Sequence, residues 1–414
     1  MKVFCSSSRN KILFFLCFLN FLFCLISLIF FSDLFYVPGH EYTDLARNLA
    51  AGKGYRSSGF FHLRYFSSAF LTPLYSFYLA IFIKLFGLPW AYALVRFSQI
   101  FLNLGILLMI YLVARELFDE KTAFCAAGFF TFYLPFIAWT AEIWDTLFFT
   151  LLLLIAVFTM LKLSNKNFWA LGIVMGWGLL TNATFAVFFF VLLGYFFFSR
   201  RFSFRYWFLV FIIALLIISP WTIRNALVFK AFIPLRTGLW LNLYLGNNPD
   251  ATGTVYLKHQ GRVPEDFREG ITYHFRPMIS QLVNLNEYQQ DQIFKKKFFE
   301  FIWNNPLNFM ALFFKKIYYY FWFNPFEANN LFWVWEYALV LGLAVLGSIY
   351  ALSERKRVGF ILLLFIFFTF TYALTGPFFN WKYRLPIEPY LIILAGHGVA
   401  KVVNQIKYLK FKIF

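Results

Sequence analysis

From Ile12 to Phe31 the chain runs twenty residues without a charged side chain. As a helix rising 1.5 Å per residue, such a run is about 30 Å long, the thickness of a bilayer's hydrocarbon core. It follows Lys2, Arg9 and Lys11, exceeds a signal-peptide core in length and is followed by no small-residue cleavage site. It therefore reads as an anchor with a cytoplasmic N-terminus. Nine further apolar runs lie near residues 90–114, 122–139, 144–162, 168–181, 184–199, 206–222, 331–352, 358–376 and 386–401. Ten such runs exclude a water-soluble fold. Composition agrees: 61% of residues are hydrophobic and 14% charged, against about 25% charged in soluble domains. The expected fold class is all-α, a polytopic membrane protein with about ten transmembrane helices.

A net charge of +18 would suggest nucleic acid in a soluble chain. Here the basic residues sit in short gaps between apolar runs, the distribution that orients helices in a bilayer, and nucleic acid is not an expected partner. Arg115 and Lys121, Lys162 and Lys166, Arg200, Arg201 and Arg205, Arg355, Lys356 and Arg357, and both termini hold nearly half of the 37 basic residues. All of these fall on one side only if two ambiguous stretches, 71–87 and 309–323, do not cross. The second carries Lys315 and Lys316 in its middle, costing roughly 2.5 to 3.5 kcal/mol each at the bilayer centre. Both stretches are therefore expected as juxtamembrane helices in the outer interface. Two polar segments then face outward, 33–70 and 224–308, within one integral membrane domain covering 1–414. Cys5, Cys17, Cys24 and Cys125 leave no disulfide pair in the polar loops. The run 168–199 is too long for one span, and Thr181-Asn182-Ala183-Thr184 is the expected break.

The outer segments hold the residues that could carry chemistry. Glu41 and Asp44 are three apart in a short amphipathic helix that Gly52 and Gly54 stop, where a helix N-terminus also favours carboxylates for purely structural reasons. Glu142 and Asp145, again three apart, stand at the outer end of a span, where a carboxylate needs water, a cation or a basic partner. Two such pairs on one membrane face suit a divalent cation or the deprotonation of a hydroxyl. Arg64, Arg96, Arg224, Lys382 and Arg384 lie on the same side, and a guanidinium fork matches phosphate oxygens. Contact with ordinary headgroups, or for Arg384 an i,i+4 pair with Glu388, explains them equally well. The histidines show no zinc spacing, although His40 adjoins Glu41. No glycine-rich phosphate loop or sugar-nucleotide Asp-x-Asp motif is present.

The ordered motifs resemble a family. An acidic first outer segment ends Ala46-Arg47-Asn48-Leu49-Ala50 with Gly52, Gly54 and Tyr55, and Thr72-Pro73-Leu74-Tyr75 follows. Then come Pro220-Trp221-Thr222-Ile223-Arg224-Asn225, Leu245-Gly246-Asn247-Asn248-Pro249 and Tyr383-Arg384-Leu385-Pro386-Ile387-Glu388-Pro389. This resembles the GT-C membrane glycosyltransferases, most of all glycosyltransferase family 39, the protein mannosyltransferase and aminoarabinose transferase relatives. The resemblance implies transfer of a sugar from a polyprenyl-phosphate donor on the outer face, and juxtamembrane helices after the first span. The family's essential Asp corresponds to Pro38 here, so Glu41, His40 or Asp44 has taken over its role, or catalysis is altered or lost. Asp145, in Trp144-Asp145-Thr146, matches the family's second acidic position better than Glu142, and Arg64, Arg224 and Arg384 match positions that meet the lipid phosphate.

The resulting expectation is an inverting glycosyltransferase of a bacterial inner membrane, a hexosyl or pentosyl transferase, with both termini cytoplasmic. Its partners are a polyprenyl-phosphate sugar, membrane lipid, and a glycan, lipid or protein acceptor; a divalent cation is compatible with its carboxylates. Glu41, Asp145, Asp44 and His40 are the candidate catalytic groups, and Arg64, Arg224 and Arg384 the candidate phosphate ligands. Glu142, Arg96, Asn225, Asn247 and Asn248 are supporting residues. A transporter or flippase of a lipid-linked or anionic substrate, and a non-catalytic protein of the same fold, are the alternatives.

Overall fold

The computed structural model describes residues 7–36, 41–58, 66–164, 167–199, 204–323, 326, 331–353, 358–376 and 381–413. Every apolar run forms helix. The chain passes through α1 (Ser7–Phe31), α2 (Glu41–Ala50), α3 (Pro73–Phe86), α4 (Trp90–Leu117), α5 (Glu120–Thr131), α6 (Leu134–Trp139), α7 (Thr146–Leu161), α8 (Phe168–Thr181), α9 (Val187–Ser199) and α10 (Phe204–Phe229). It continues through α11 (Leu239–Gly246), α12 (Phe267–Phe275), α13 (Ile279–Leu282), α14 (Glu287–Asn304), α15 (Pro306–Phe321), α16 (Leu331–Ser353), α17 (Gly359–Thr375) and α18 (Glu388–Ile413). The sheet consists of two short strands, β1 (Arg56–Ser57) and β2 (Phe66–Ser67), paired antiparallel. The protein is all-α and an integral, multi-pass membrane protein. Among the described residues, α1, α4, α10 and α16 are long and apolar enough to cross a bilayer by length and composition, while α3, α7, α8 and α17 are apolar but shorter.

Between helices in lipid there is little hydrophobic driving force, so close backbone approach has to supply the packing. Glycines provide it at several crossings. A Cβ on Gly347 of α16 would stand 1.8 Å from the Leu394 carbonyl oxygen of α18, and one on Gly176 of α8 would stand 2.6 Å from Ile217 of α10. The largest core runs from α4 through α10 and on through α16, α17 and α18. The two outer segments have apolar clusters of their own: α2 and α3 pack with the start of α4 and the end of α10, and α11, α12, α14 and part of α15 form another. Much of the long polar segment is thus helical. The stretch expected to break at 181–184 does so: α8 stops at Thr181, a turn of 3-10 helix spans Ala183–Ala186, and α9 follows.

Candidate functional site

The break between α8 and α9 has a chemical consequence. Asn182 caps the 3-10 turn by accepting the Thr184 amide on Oδ1 at 3.0 Å, and its Nδ2 donates to Asp145 Oδ2 at 2.9 Å. The Tyr42 hydroxyl of α2 donates to the same oxygen, also at 2.9 Å. Asp145 is only 2% exposed, so these two bonds offset part of the cost of burying its carboxylate. Both fall on Oδ2, which leaves Oδ1 without a donor among the described residues. The positive charges felt at Asp145 are those of Lys382 and Arg236.

The turn that carries Asp145 is fixed from α4. Arg96 donates Nε to the Ala141 carbonyl, and its two terminal nitrogens to the carbonyls of Leu34 and Tyr36, at 2.8 to 3.0 Å. Gln99 donates to the carbonyls of Thr140 and Glu142. Arg96 is therefore a brace, and Glu142, exposed at its side chain, contributes a backbone carbonyl to it. Next along the chain, the Trp144 ring meets Tyr42 edge-on at 5.4 Å and carries Lys382 Nζ over its face at 4.2 Å.

Glu41 opens α2, half-buried, and makes no hydrogen bond or ion pair among the described residues. Its charge is felt at Tyr383, together with those of Asp145 and Arg236. Burial, then the anionic neighbours, hold the Tyr383 phenol well above its ordinary range, and burial and Asp145 do the same to Tyr42. Both phenols therefore keep their protons at neutral pH and can donate hydrogen bonds. Asp44 shares the first turn of α2 with Glu41 but not its neighbours: it lies 3.8 Å from Arg47, and its carboxyl is pushed up by burial. His40, Pro38 and Arg64 lie outside the described residues.

The basic residues divide by what they already hold. Arg224 donates to the Ser68, Tyr55 and Asn225 oxygens, three of its five N–H groups, and lies 4.9 Å over the Trp221 ring. It ties the end of the first outer segment to α10. Arg384 is 4% exposed, pairs with Glu388 at 2.6 Å, donates to the Tyr320 carbonyl and lies 3.5 Å from the Tyr337 ring centroid. Glu388 also accepts the Tyr133 hydroxyl at 2.9 Å, so the i,i+4 pairing is the arrangement observed. Arg236 differs from both. Nε donates to the Thr237 carbonyl at 3.1 Å and the guanidinium lies 5.1 Å over Phe70, while its terminal nitrogens have no partner among the described residues.

The asparagines are structural. Asn225 donates to the carbonyls of Ile233 and Leu235, holding the loop that ends in Arg236. Asn247 caps α11, donates to the Leu374 carbonyl and accepts from Lys316 Nζ at 2.7 Å. Asn248 donates to the Tyr244 and Leu245 carbonyls. The structure therefore brings Glu41, Asp145, Tyr42, Asn182, Arg236, Lys382 and Tyr383 into one neighbourhood. Arg236 and Asn182 were not nominated from sequence. Arg236 sits in an irregular loop with no periodicity to mark it, and the only signal for Asn182 was the helix break. Glu41 and Asp145 supply oxygens of the kind hard divalent cations take, and among the described residues no group of three ligating side chains occurs.

Residues 71–223 match the family model described as dolichyl-phosphate-mannose-protein mannosyltransferase. A comparison with curated protein sequences finds no match. Among solved structures, the apo oligosaccharyltransferase of Archaeoglobus fulgidus is similar at 13% identity and a TM-score of 0.60, over 100% of this chain and 53% of that one. The same organism's AglB, in complex with an inhibitory peptide and a dolichol-phosphate, matches at 11% identity and 0.56, over 98% and 52%. ArnT from Cupriavidus metallidurans, bound to undecaprenyl phosphate, matches at 14% and 0.53, over 95% and 60%. This chain thus spans about half the length of the oligosaccharyltransferases and 60% of ArnT. At these identities the likeness establishes the fold, which is of the GT-C type.

Proposed function

Proceeding from the GT-C fold, we propose that this protein is an inverting glycosyltransferase that moves a sugar from a polyprenyl-phosphate donor to a lipid, glycan or protein acceptor on the outer face of the membrane. The observation that carries the reading is the pairing of opposite charges at one place. Asp145 keeps one oxygen open and Glu41 is unengaged, while Arg236, with an uncommitted fork, and Lys382 stand beside them. Two carboxylates facing two cations suit a displacement in which a proton is taken from the nucleophile and an anion departs. Two of the similar structures are bound to a dolichol-phosphate and to undecaprenyl phosphate, which supports a lipid phosphate as the departing group.

In this reading the acceptor oxygen or nitrogen attacks the anomeric carbon, the bond from that carbon to the phosphate oxygen breaks, and polyprenyl phosphate leaves with the electron pair. Arg236 and Lys382 neutralise the charge that grows on the phosphate, where a fixed cation is most effective. Arg236 takes the role that Arg224 and Arg384 were expected to fill, because those two are already engaged. Glu41 accepts the acceptor's proton. Asp145, fixed by Tyr42 and Asn182, orients the acceptor through its open oxygen. His40, Asp44 and Arg64 belong by sequence to the first outer segment, 33–70, that also carries Glu41. Both termini are cytoplasmic, ten helices cross the membrane, and α3 and α15 lie in the outer interface.

The test replaces Glu41 by Gln and Asp145 by Asn separately and measures sugar release from a polyprenyl-phosphate donor in proteoliposomes. Loss of a general base lowers turnover by about 10² to 10⁴. Wild-type turnover in both variants would reject the assignment.

A further inference from the structure

Two buried carboxylates on α14 lie outside the site yet hold its edges. Glu287 and Asp291 are four residues apart, hence on one face of the helix, and each is 7% exposed. Glu287 accepts three hydrogen bonds: from Ser68 Oγ at 2.6 Å, from the Ala69 amide at 2.8 Å and from Thr237 Oγ1 at 2.8 Å. The two segments it bridges are also joined directly, the Thr237 amide donating to the Ala69 carbonyl at 2.9 Å. Asp291 accepts the Leu241 amide at 3.0 Å and draws on those of Trp240 and Gly238 at the start of α11.

Between these two anchors the chain turns at Gly238, whose φ is +78°. A Cβ there would stand 2.4 Å from the Phe70 ring, the same ring that lies under the Arg236 guanidinium. Residues 237–241 are thus held at both ends by one helix face, and the side chain leaving the near end is Arg236. Burying two carboxylates is costly unless each is well bonded. Here the bonds go to one turn and to the strand end that Arg224 also grips through the Ser68 carbonyl.

We infer that Glu287, with Asp291 behind it, is a positioning residue for the candidate site: it fixes the turn that carries Arg236 and locks that turn to the end of the first outer segment. The inference rests on the reading of Arg236 as the phosphate-binding group. Glu287 touches neither donor nor acceptor and acts through Arg236. It follows that the long outer segment sets affinity for the donor.

The experiment titrates undecaprenyl phosphate into the full-length protein in nanodiscs, read by native mass spectrometry, for wild type, Glu287→Gln, Arg236→Ala and the double variant. Gln cannot accept all three bonds, and stranding a buried donor weakens the arrangement by roughly tenfold in binding. Arg236→Ala is expected to weaken binding at least as much, and Glu287→Gln is expected to add nothing in the Arg236→Ala background. A merely structural role gives instead the same further weakening in both backgrounds, and that result overturns the inference, as does wild-type affinity in Glu287→Gln. If Glu287→Gln does not fold, Thr237→Val removes a single bond and must show the same non-additivity. Hydrogen exchange across 236–241 in the ligand-free protein is the independent arm: faster exchange in Glu287→Gln is expected, and unchanged protection overturns the positioning role. A wild type that fails to bind undecaprenyl phosphate refutes the phosphate reading itself, and the exchange arm then decides the clamp alone.

Discussion

Replacing Arg384 by Met distinguishes a buried ion pair from a ligand for a lipid phosphate. Arg384 and Glu388 are 4% and 1% exposed, and Nε lies 2.6 Å from the carboxylate. Removing one member of such a pair strands the other, which costs about 3 to 5 kcal/mol. The guanidinium also lies 3.5 Å from the Tyr337 ring centroid, a desolvated contact of order 2 kcal/mol, part of which the Met side chain recovers by packing. Glu388 keeps only the Tyr133 hydroxyl. The single variant is therefore expected to lose about 4 kcal/mol, while Arg384→Met combined with Glu388→Gln leaves no stranded charge and loses about 1 to 2 kcal/mol. Equilibrium unfolding in mixed detergent micelles measures both. Activity of the double variant in proteoliposomes is expected to stay within a few-fold of wild type. A double variant as unstable as the single one, or stable but unable to use the lipid donor, refutes this reasoning and returns Arg384 to the phosphate.

Lys316 is fully buried with the neutral Asn247 as its hydrogen-bond acceptor, and burial lowers its amine from 10.5 to about 7. Between those values the unfolded chain holds a proton that the folded chain lacks, so stability rises with pH across that window and is lowest below it; Lys316→Met is expected to flatten this rise in melts taken from pH 6 to pH 10. Gly347→Ala pushes a methyl against the Leu394 carbonyl and is expected to cost about 1 to 3 kcal/mol, seen as a lower melting temperature in detergent. Asn225→Ala strands the carbonyls of Ile233 and Leu235, about 1 to 3 kcal/mol, and by loosening the loop before Arg236 it also lowers donor affinity in the undecaprenyl phosphate titration.

The helices were legible because a bilayer demands long apolar runs, and even the break at 181–184 followed from a run too long for one span. Charge asymmetry is the ground for the proposal that α3 and α15 lie in the outer interface. Asp145 was visible as a carboxylate at the edge of a span and Glu41 as one at the start of an amphipathic helix, and the charges of both reach Tyr383 while Asp44 lies by Arg47. The cations were harder to read. Sequence shows an arginine near the end of a span but not whether its guanidinium is already engaged by carbonyls, as at Arg96 and in part at Arg224, or by a carboxylate four residues on, as at Arg384. That depends on loops folding back over long sequence distances: Arg224 reaches residues 55 and 68, and Glu287 reaches 68, 69 and 237. No local pattern encodes such contacts, so Arg236 and the α14 clamp became visible only in three dimensions.

Purified protein in proteoliposomes, given a polyprenyl-phosphate sugar labelled in the sugar together with a pool of candidate acceptors, tests the central claim most directly. The account predicts that the label leaves the lipid, that free polyprenyl phosphate accumulates in equal amount, and that Asp145→Asn suppresses both. Movement of intact donor across the bilayer without cleavage, or an intact and immobile donor under conditions where the protein binds undecaprenyl phosphate, would contradict it.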